Sequence, residues 1–153
     1  MLVVSFLFTT RAADAQKATV IKFDGLQKIL DTKGSQIQVI NFWATWCAPC
    51  IKELPLLEKL NGENDLNAKI TLINLDFADK IEKVNEFIVR KNIRSEVLLL
   101  DEIDYNSWID KVEKGWSGAI PATLIFDPQT GKRRFVEKEL KPGELEDLIA
   151  SLK

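Results

Sequence analysis

No histidine occurs anywhere in the 153 residues. Its absence removes Ser–His–Asp triads, Cys–His dyads and every zinc site that needs an imidazole. Cysteine is almost as scarce, with two in the chain, Cys47 and Cys50. Two thiolates supply half of a tetrahedral zinc shell, so no metal is expected. Long apolar runs are missing too: nothing approaches the ~20 residues that cross a bilayer, and no stable membrane insertion is expected. Charge of neither sign dominates, with 21 Lys and Arg against 23 Asp and Glu and a formal net charge of −2. Without a basic excess, nucleic acid is not an expected partner. The remaining composition, 46% hydrophobic and 29% charged, is that of a globular chain able to bury a core.

The first residues, "MLVVSFLFTTRAADAQ", place an apolar run, Leu2–Phe8, before Ala13-Asp14-Ala15. That order suits the apolar region and small-residue cleavage site of a secretory signal. No Lys or Arg precedes the run, and the run is short. Residues 1–15 are therefore read as a secretory signal or a disordered N-terminal segment, and 16–153 as a single domain. Cleavage after Ala15 would remove Arg11 and Asp14, leaving the net charge at −2. The expected location is periplasmic or otherwise extracytoplasmic, and cytoplasmic if 1–15 is no signal.

Periodicity supplies the elements. Ala18–Phe23 suits a short strand, and Asp24 is placed to cap a helix carrying Leu26, Ile29 and Leu30 on one face. "QIQVINFW", Gln36–Trp43, reads as a strand entering the core. A helix then runs from Cys47 to about Leu60, with Pro55 inside it as a kink. Ala68–Asp76 and Glu96–Asp101 are apolar runs of the kind found in covered parallel strands. Ala78–Lys91 between them has helical spacing, and Asp104–Glu113 a short helix. Pro121–Asp127, a turn, and Lys132–Glu137 form a hairpin signature, and Glu144–Leu152 a closing helix after Pro142. The sum is an α/β fold, a central mixed sheet flanked by helices on both faces.

Within that frame a strand ends at Trp43 and Cys47 opens a helix. Unpaired N–H groups and the positive end of the helix dipole favour a thiolate there, making Cys47 the nucleophile. Cys50, one turn in and on the same face, would keep its proton until it resolves a mixed disulfide. Pro49 stiffens the turn and donates no N–H, and Ala48-Pro49 tunes the redox poise. A purely structural staple is disfavoured, because so short a loop removes little unfolded-state entropy.

"NFWATWCAPC", Pro55 five residues after Cys50, and "GAIPATLIFD" together resemble the thioredoxin fold. They are most similar to the TlpA/ResA-type periplasmic thiol–disulfide oxidoreductases. The resemblance runs from about Val20 to the end. It implies that Cys47 is the exposed nucleophile, that Cys50 resolves, and that Ile120-Pro121 is a cis-proline dipeptide facing the disulfide and pairing with the substrate backbone. An ordinary trans proline opening a strand is the alternative. Asn41 stands where many thioredoxins bury an aspartate, and an asparagine cannot accept that proton. Glu53, where TlpA/ResA-like proteins carry a glutamate, would share the helix face of the cysteines, raise their pKa values and accept a proton. The alternative is that it points to water.

Trp46 is expected over the sulfur pair and on the docking surface, Trp43 in the core. Trp116 either borders the substrate groove or packs its loop. The implied activity is reduction of protein disulfides, with protein thiols or disulfides as substrates and an upstream thiol electron donor. No cofactor beyond the Cys47–Cys50 pair and a monomeric chain are expected. A peroxiredoxin-type peroxidase would need a Pro-x-x-x-Thr-x-x-Cys context, whereas Thr45 is two residues before Cys47 and no matching proline precedes it. A non-catalytic binding module is the other alternative, distinguished by function that survives replacement of Cys47.

Overall fold

The computed structural model describes residues 16–62 and 66–152. The expected signal segment lies outside the described residues. Six strands form one sheet: β1 (Thr19–Ile21), β2 (Ile37–Trp43), β3 (Ala68–Asn74), β4 (Glu96–Leu100), β5 (Ala122–Phe126) and β6 (Arg133–Val136), in the order β1-β4-β3-β2-β5-β6. The pairs β1–β4, β4–β3 and β3–β2 are parallel, and β2–β5 and β5–β6 antiparallel. The helices are α1 (Phe23–Leu30), α2 (Ala48–Asn61), α3 (Ile81–Lys91), α4 (Ile109–Val112) and α5 (Glu144–Ala150). This is a thioredoxin-like fold.

Strand alternation distributes the core. On β2, Ile37, Val39 and Trp43 pack with Leu54 and Leu57 of α2, Phe87 of α3 and Leu145 of α5. Ile40 and Phe42 point the other way, to Leu26 of α1, Val112 of α4, Trp108 and Trp116. All seven residues of β2 are consequently buried. Helix α2 buries Cys50, Glu53, Leu54, Leu57 and Leu60, a stripe at helical spacing. Full burial of Leu57 contributes roughly 1.5–3 kcal/mol.

Three local expectations shift. Helix α1 begins at Phe23, so Asp24 lies in its first turn and is not the cap. The Phe23 N–H is instead satisfied by Glu102 Oε1 at 3.0 Å, a carboxylate distant in sequence. The helix expected over Ala78–Lys91 opens with a 3₁₀ turn, Ala78–Lys80. That expected over Asp104–Glu113 divides into a 3₁₀ turn, Tyr105–Ser107, and the single turn of α4, with non-helical Trp108 (φ −134°) between. Trp108 is fully buried, so its packing overrides helical continuity.

Candidate functional site

Central β2 ends at Trp43, at the C-terminal end of the parallel strands, and the turn before α2 is then fixed by Asp76 just beyond β3. Its carboxylate accepts the Thr45 N–H at 2.7 Å, the Thr45 hydroxyl at 2.6 Å and the Asn74 amide at 2.9 Å. The Asp76 N–H donates to Asn74 Oδ1 at 3.0 Å. Cys47 is the N-cap residue, Ala48 and Pro49 open the helix exposed, and Cys50 follows at its third position. Pro at this end costs no helical hydrogen bond.

Cys47 and Cys50 form a disulfide, with Cα atoms 5.3 Å apart. Cys50 is wholly buried, and Cys47 only 5% exposed, more covered than an exposed nucleophile would be. Beside it stands Trp46, 65% exposed. Cys47 Sγ lies 3.8 Å from the Ile120 carbonyl oxygen. The Ile120–Pro121 bond is cis; Ile120 is half-buried and Pro121 buried.

The preceding loop has its own anchors. Trp116 is buried and tilts against Phe42 and Phe135. Its Nε1–H donates to the Ala119 carbonyl at 2.8 Å, so of its two expected roles the one observed is packing the loop. Glu137, just past β6, accepts the Ser117 and Ala119 N–H groups at 3.3 and 3.2 Å and also the Ser117 hydroxyl. Gly118 turns the loop at φ +90°, where an added Cβ would come 3.1 Å from Ile109 Cδ1.

Three residues beyond Cys50 on α2, Glu53 belongs to a buried polar cluster. Glu53 is 2% exposed and does not point to water. Its Oε1 accepts the Asn41 amide at 2.8 Å and its Oε2 the Leu140 N–H at 2.7 Å. Asn41 donates a second bond to Thr123 Oγ1 at 2.9 Å, directly across the β2–β5 pair. Asn41 Oδ1 has no partner. Burial pushes the Glu53 carboxyl above its ordinary value, while the Leu140 and Asn41 donors pull it back down.

Asp76, Glu137, Thr123 and Leu140 were not singled out from the sequence, since each acts across 20 to 87 residues. Among the described residues no group of three or more His, Cys, Asp and Glu is arranged to hold a metal ion. No helix among them is long and apolar enough to cross a membrane.

The AhpC/TSA family profile matches residues 11–132. Thiol-disulfide oxidoreductase ResA of Oceanobacillus iheyensis is 28% identical over 123 residues, 80% of this chain and 59% of that protein. The chain spans from 31% to 59% of the length of the curated relatives with which these similarities were found. Among solved structures, a thioredoxin-related protein of Neisseria meningitidis serogroup B superposes with a TM-score of 0.68 at 22% identity, covering 80% of this chain and 89% of that one. A secreted Mycobacterium tuberculosis disulfide oxidoreductase, homologous to E. coli DsbE, superposes with a TM-score of 0.58 at 21% identity, covering 76% and 82%.

Proposed function

Given that this chain belongs to the AhpC/TSA family, we propose that it is a thiol–disulfide oxidoreductase reducing protein disulfides outside the cytoplasm. The observation that carries this reading is the Cys47–Cys50 disulfide at the start of α2, with Cys47 Sγ 3.8 Å from the carbonyl oxygen preceding Pro121. The similarity to ResA supports the reaction class. The secreted relative and the character of residues 1–15 support the location.

In the reduced protein, the first-turn amides of α2 stabilise Cys47 as a thiolate. It attacks one sulfur of a substrate disulfide; the other sulfur leaves with the bonding electron pair and takes a proton from solvent. Cys50 then loses its proton to Glu53 and attacks the Cys47 sulfur. The Cys47–Cys50 bond forms, the mixed disulfide breaks, and the substrate departs as a dithiol. The protein has given up two electrons, so an upstream thiol donor must restore the pair. Ile120-Pro121 and Trp46 offer the docking surface, and the chain works as a monomer.

The peroxiredoxin-type alternative needs a Pro-x-x-x-Thr-x-x-Cys context that the sequence does not have, and Thr45 is engaged by Asp76 through both its N–H and its hydroxyl. The deciding experiment is the midpoint potential of the pair, measured by equilibration in graded dithiol buffers and thiol trapping. A value near −270 mV or below, as for thioredoxin, fits a reductant. One near −120 mV, as for DsbA, reverses the direction. A pair that never closes removes the exchange mechanism and favours the binding module.

A further inference from the structure

Glu53 forms part of the wall of a cleft of about 530 Å³ between α2 and the segment leading into α5. The charged groups around that cleft are Lys52 and Lys59 of α2, Glu139 and Lys141 of the segment, and Glu146 of α5. From the sheet side Glu53 meets no charge in its hydrogen bonds, only Asn41, itself bonded to Thr123. On its own helix, Cys50 lies three residues before it and carries a thiol once the disulfide is open. The segment reaches Glu53 through a backbone donor, the Leu140 N–H. Its two flanking side chains carry opposite charges and meet: Glu139 Oε1 lies 2.6 Å from Lys141 Nζ and 3.2 Å from Lys52 Nζ.

The segment does not depend on those charges for its position. Leu140 is 2% exposed in the core. Glu144 holds both ends, pairing with Lys138 Nζ at 2.9 Å and accepting the Lys141 backbone N–H at 2.9 Å. A side-chain change at 139 or 141 therefore leaves the donor to Glu53 in place while it breaks one or both of the ion pairs made by Glu139 and alters the field across the cleft.

We propose that Glu139 and Lys141 are positioning residues of opposite sign that bias, across this cleft, how readily Glu53 takes and releases the Cys50 proton. This rests on Glu53 being the proton acceptor of the resolving step. In that step the Cys50 S–H bond breaks, its proton goes to a Glu53 oxygen, and the sulfur lone pair forms the bond to Cys47. Glu53 then returns the proton to water. Glu139 raises the Glu53 carboxyl and Lys141 lowers it, both as smaller influences than burial and the two hydrogen bonds.

The test mixes reduced protein with a chromogenic aromatic disulfide in stopped flow. One coloured thiolate is released when Cys47 attacks and a second when Cys50 resolves. The second rate is followed against pH at low salt for wild type, Glu53→Gln, Glu139→Gln and Lys141→Gln. Wild type should show a rise through the Glu53 ionisation that Glu53→Gln lacks. Glu139→Gln should move that rise to lower pH and Lys141→Gln to higher pH. At a fixed pH on the rise, each would change the rate by roughly two- to five-fold, in opposite directions, the range for exposed charges. Both shifts should shrink at ~1 M salt.

Shifts in the same direction, or none, overturn the inference while leaving Glu53 as acceptor. A wild-type profile without the Glu53 rise removes the acceptor role and the inference with it. Release of only one thiolate removes the exchange mechanism itself.

Discussion

Asn41 donates a 2.8 Å hydrogen bond to Glu53, tying the central strand β2 to α2 with both side chains buried below the cysteine pair. An amide at this position lets one carboxylate be buried without a second charge beside it. Asn41→Asp would place two carboxylates in one site, and the pair would have to share a proton. The expected outcome is a resolving step whose pH profile moves upward and stability that declines as the second proton is lost. Asn41→Leu instead removes a donor from a buried carboxylate and should cost about 1–3 kcal/mol. Denaturant unfolding at several pH values, beside thiolate-release kinetics, checks both; an Asn41→Asp profile identical to wild type would exclude the coupling.

Asp76 anchors the cysteine turn through Thr45 and accepts three hydrogen bonds while 5% exposed. Asp76→Ala leaves the half-buried Thr45 N–H and hydroxyl and the buried Asn74 amide without their acceptor. A loss of about 1–3 kcal/mol is expected in chemical denaturation. Loosening the turn should also change the alkylation rate of Cys47 in the reduced protein. If alkylation is unaltered while stability falls, Asp76 serves folding alone.

Stability should depend on pH through Glu53 in a defined sense. Its carboxyl is raised in the folded chain, so the folded state holds that proton more tightly than the unfolded one. Its contribution favours folding below the ordinary carboxylate value of 4.5 and is lost as pH rises from there through the raised folded value. The stability of wild type relative to Glu53→Gln should therefore fall with rising pH across that window. Glu139 and Glu144, lowered chiefly by hydrogen bonds to Lys141 and Lys138 respectively, act in the opposite sense at lower pH. A wild-type minus Glu53→Gln difference that is flat with pH would contradict the burial cause.

The sheet was largely legible in the sequence because its signals are local. A β2 rich in β-branched and aromatic residues, the apolar runs of β3 and β4, and a hairpin turn each announce themselves within ten residues. The spacing of Cys47, Cys50 and Glu53 along one helix was legible for the same reason, and all three are buried. The supports were not. Asp76 reaching back to Thr45 and Leu140 reaching Glu53 depend on which strand neighbours which, and the order β1-β4-β3-β2-β5-β6 is not sequential. The start of α1 failed in the same way: Asp24 has the right chemistry for a cap, yet Glu102 arrives from across the fold to take the Phe23 N–H. Local propensity was outvoted by a tertiary partner.

The loop that precedes Pro121 has anchors of its own, apart from those of the cysteine turn. Glu137 holds Ser117 and Ala119, and Trp116 holds the Ala119 carbonyl, but neither makes a hydrogen bond to either sulfur. In Glu137→Ala the loop loses its carboxylate anchor, while Trp116 and the cysteine turn remain. A small aromatic disulfide needs only the Cys47 sulfur, whereas in the proposed function a protein substrate also pairs its backbone with the loop. The expected result is a several-fold rise in KM for a protein disulfide with kcat little changed, alongside an unchanged rate with the small reagent. Were both substrates slowed equally, the anchor would be acting on the cysteines, and the backbone-pairing role of Ile120-Pro121 would lose its support.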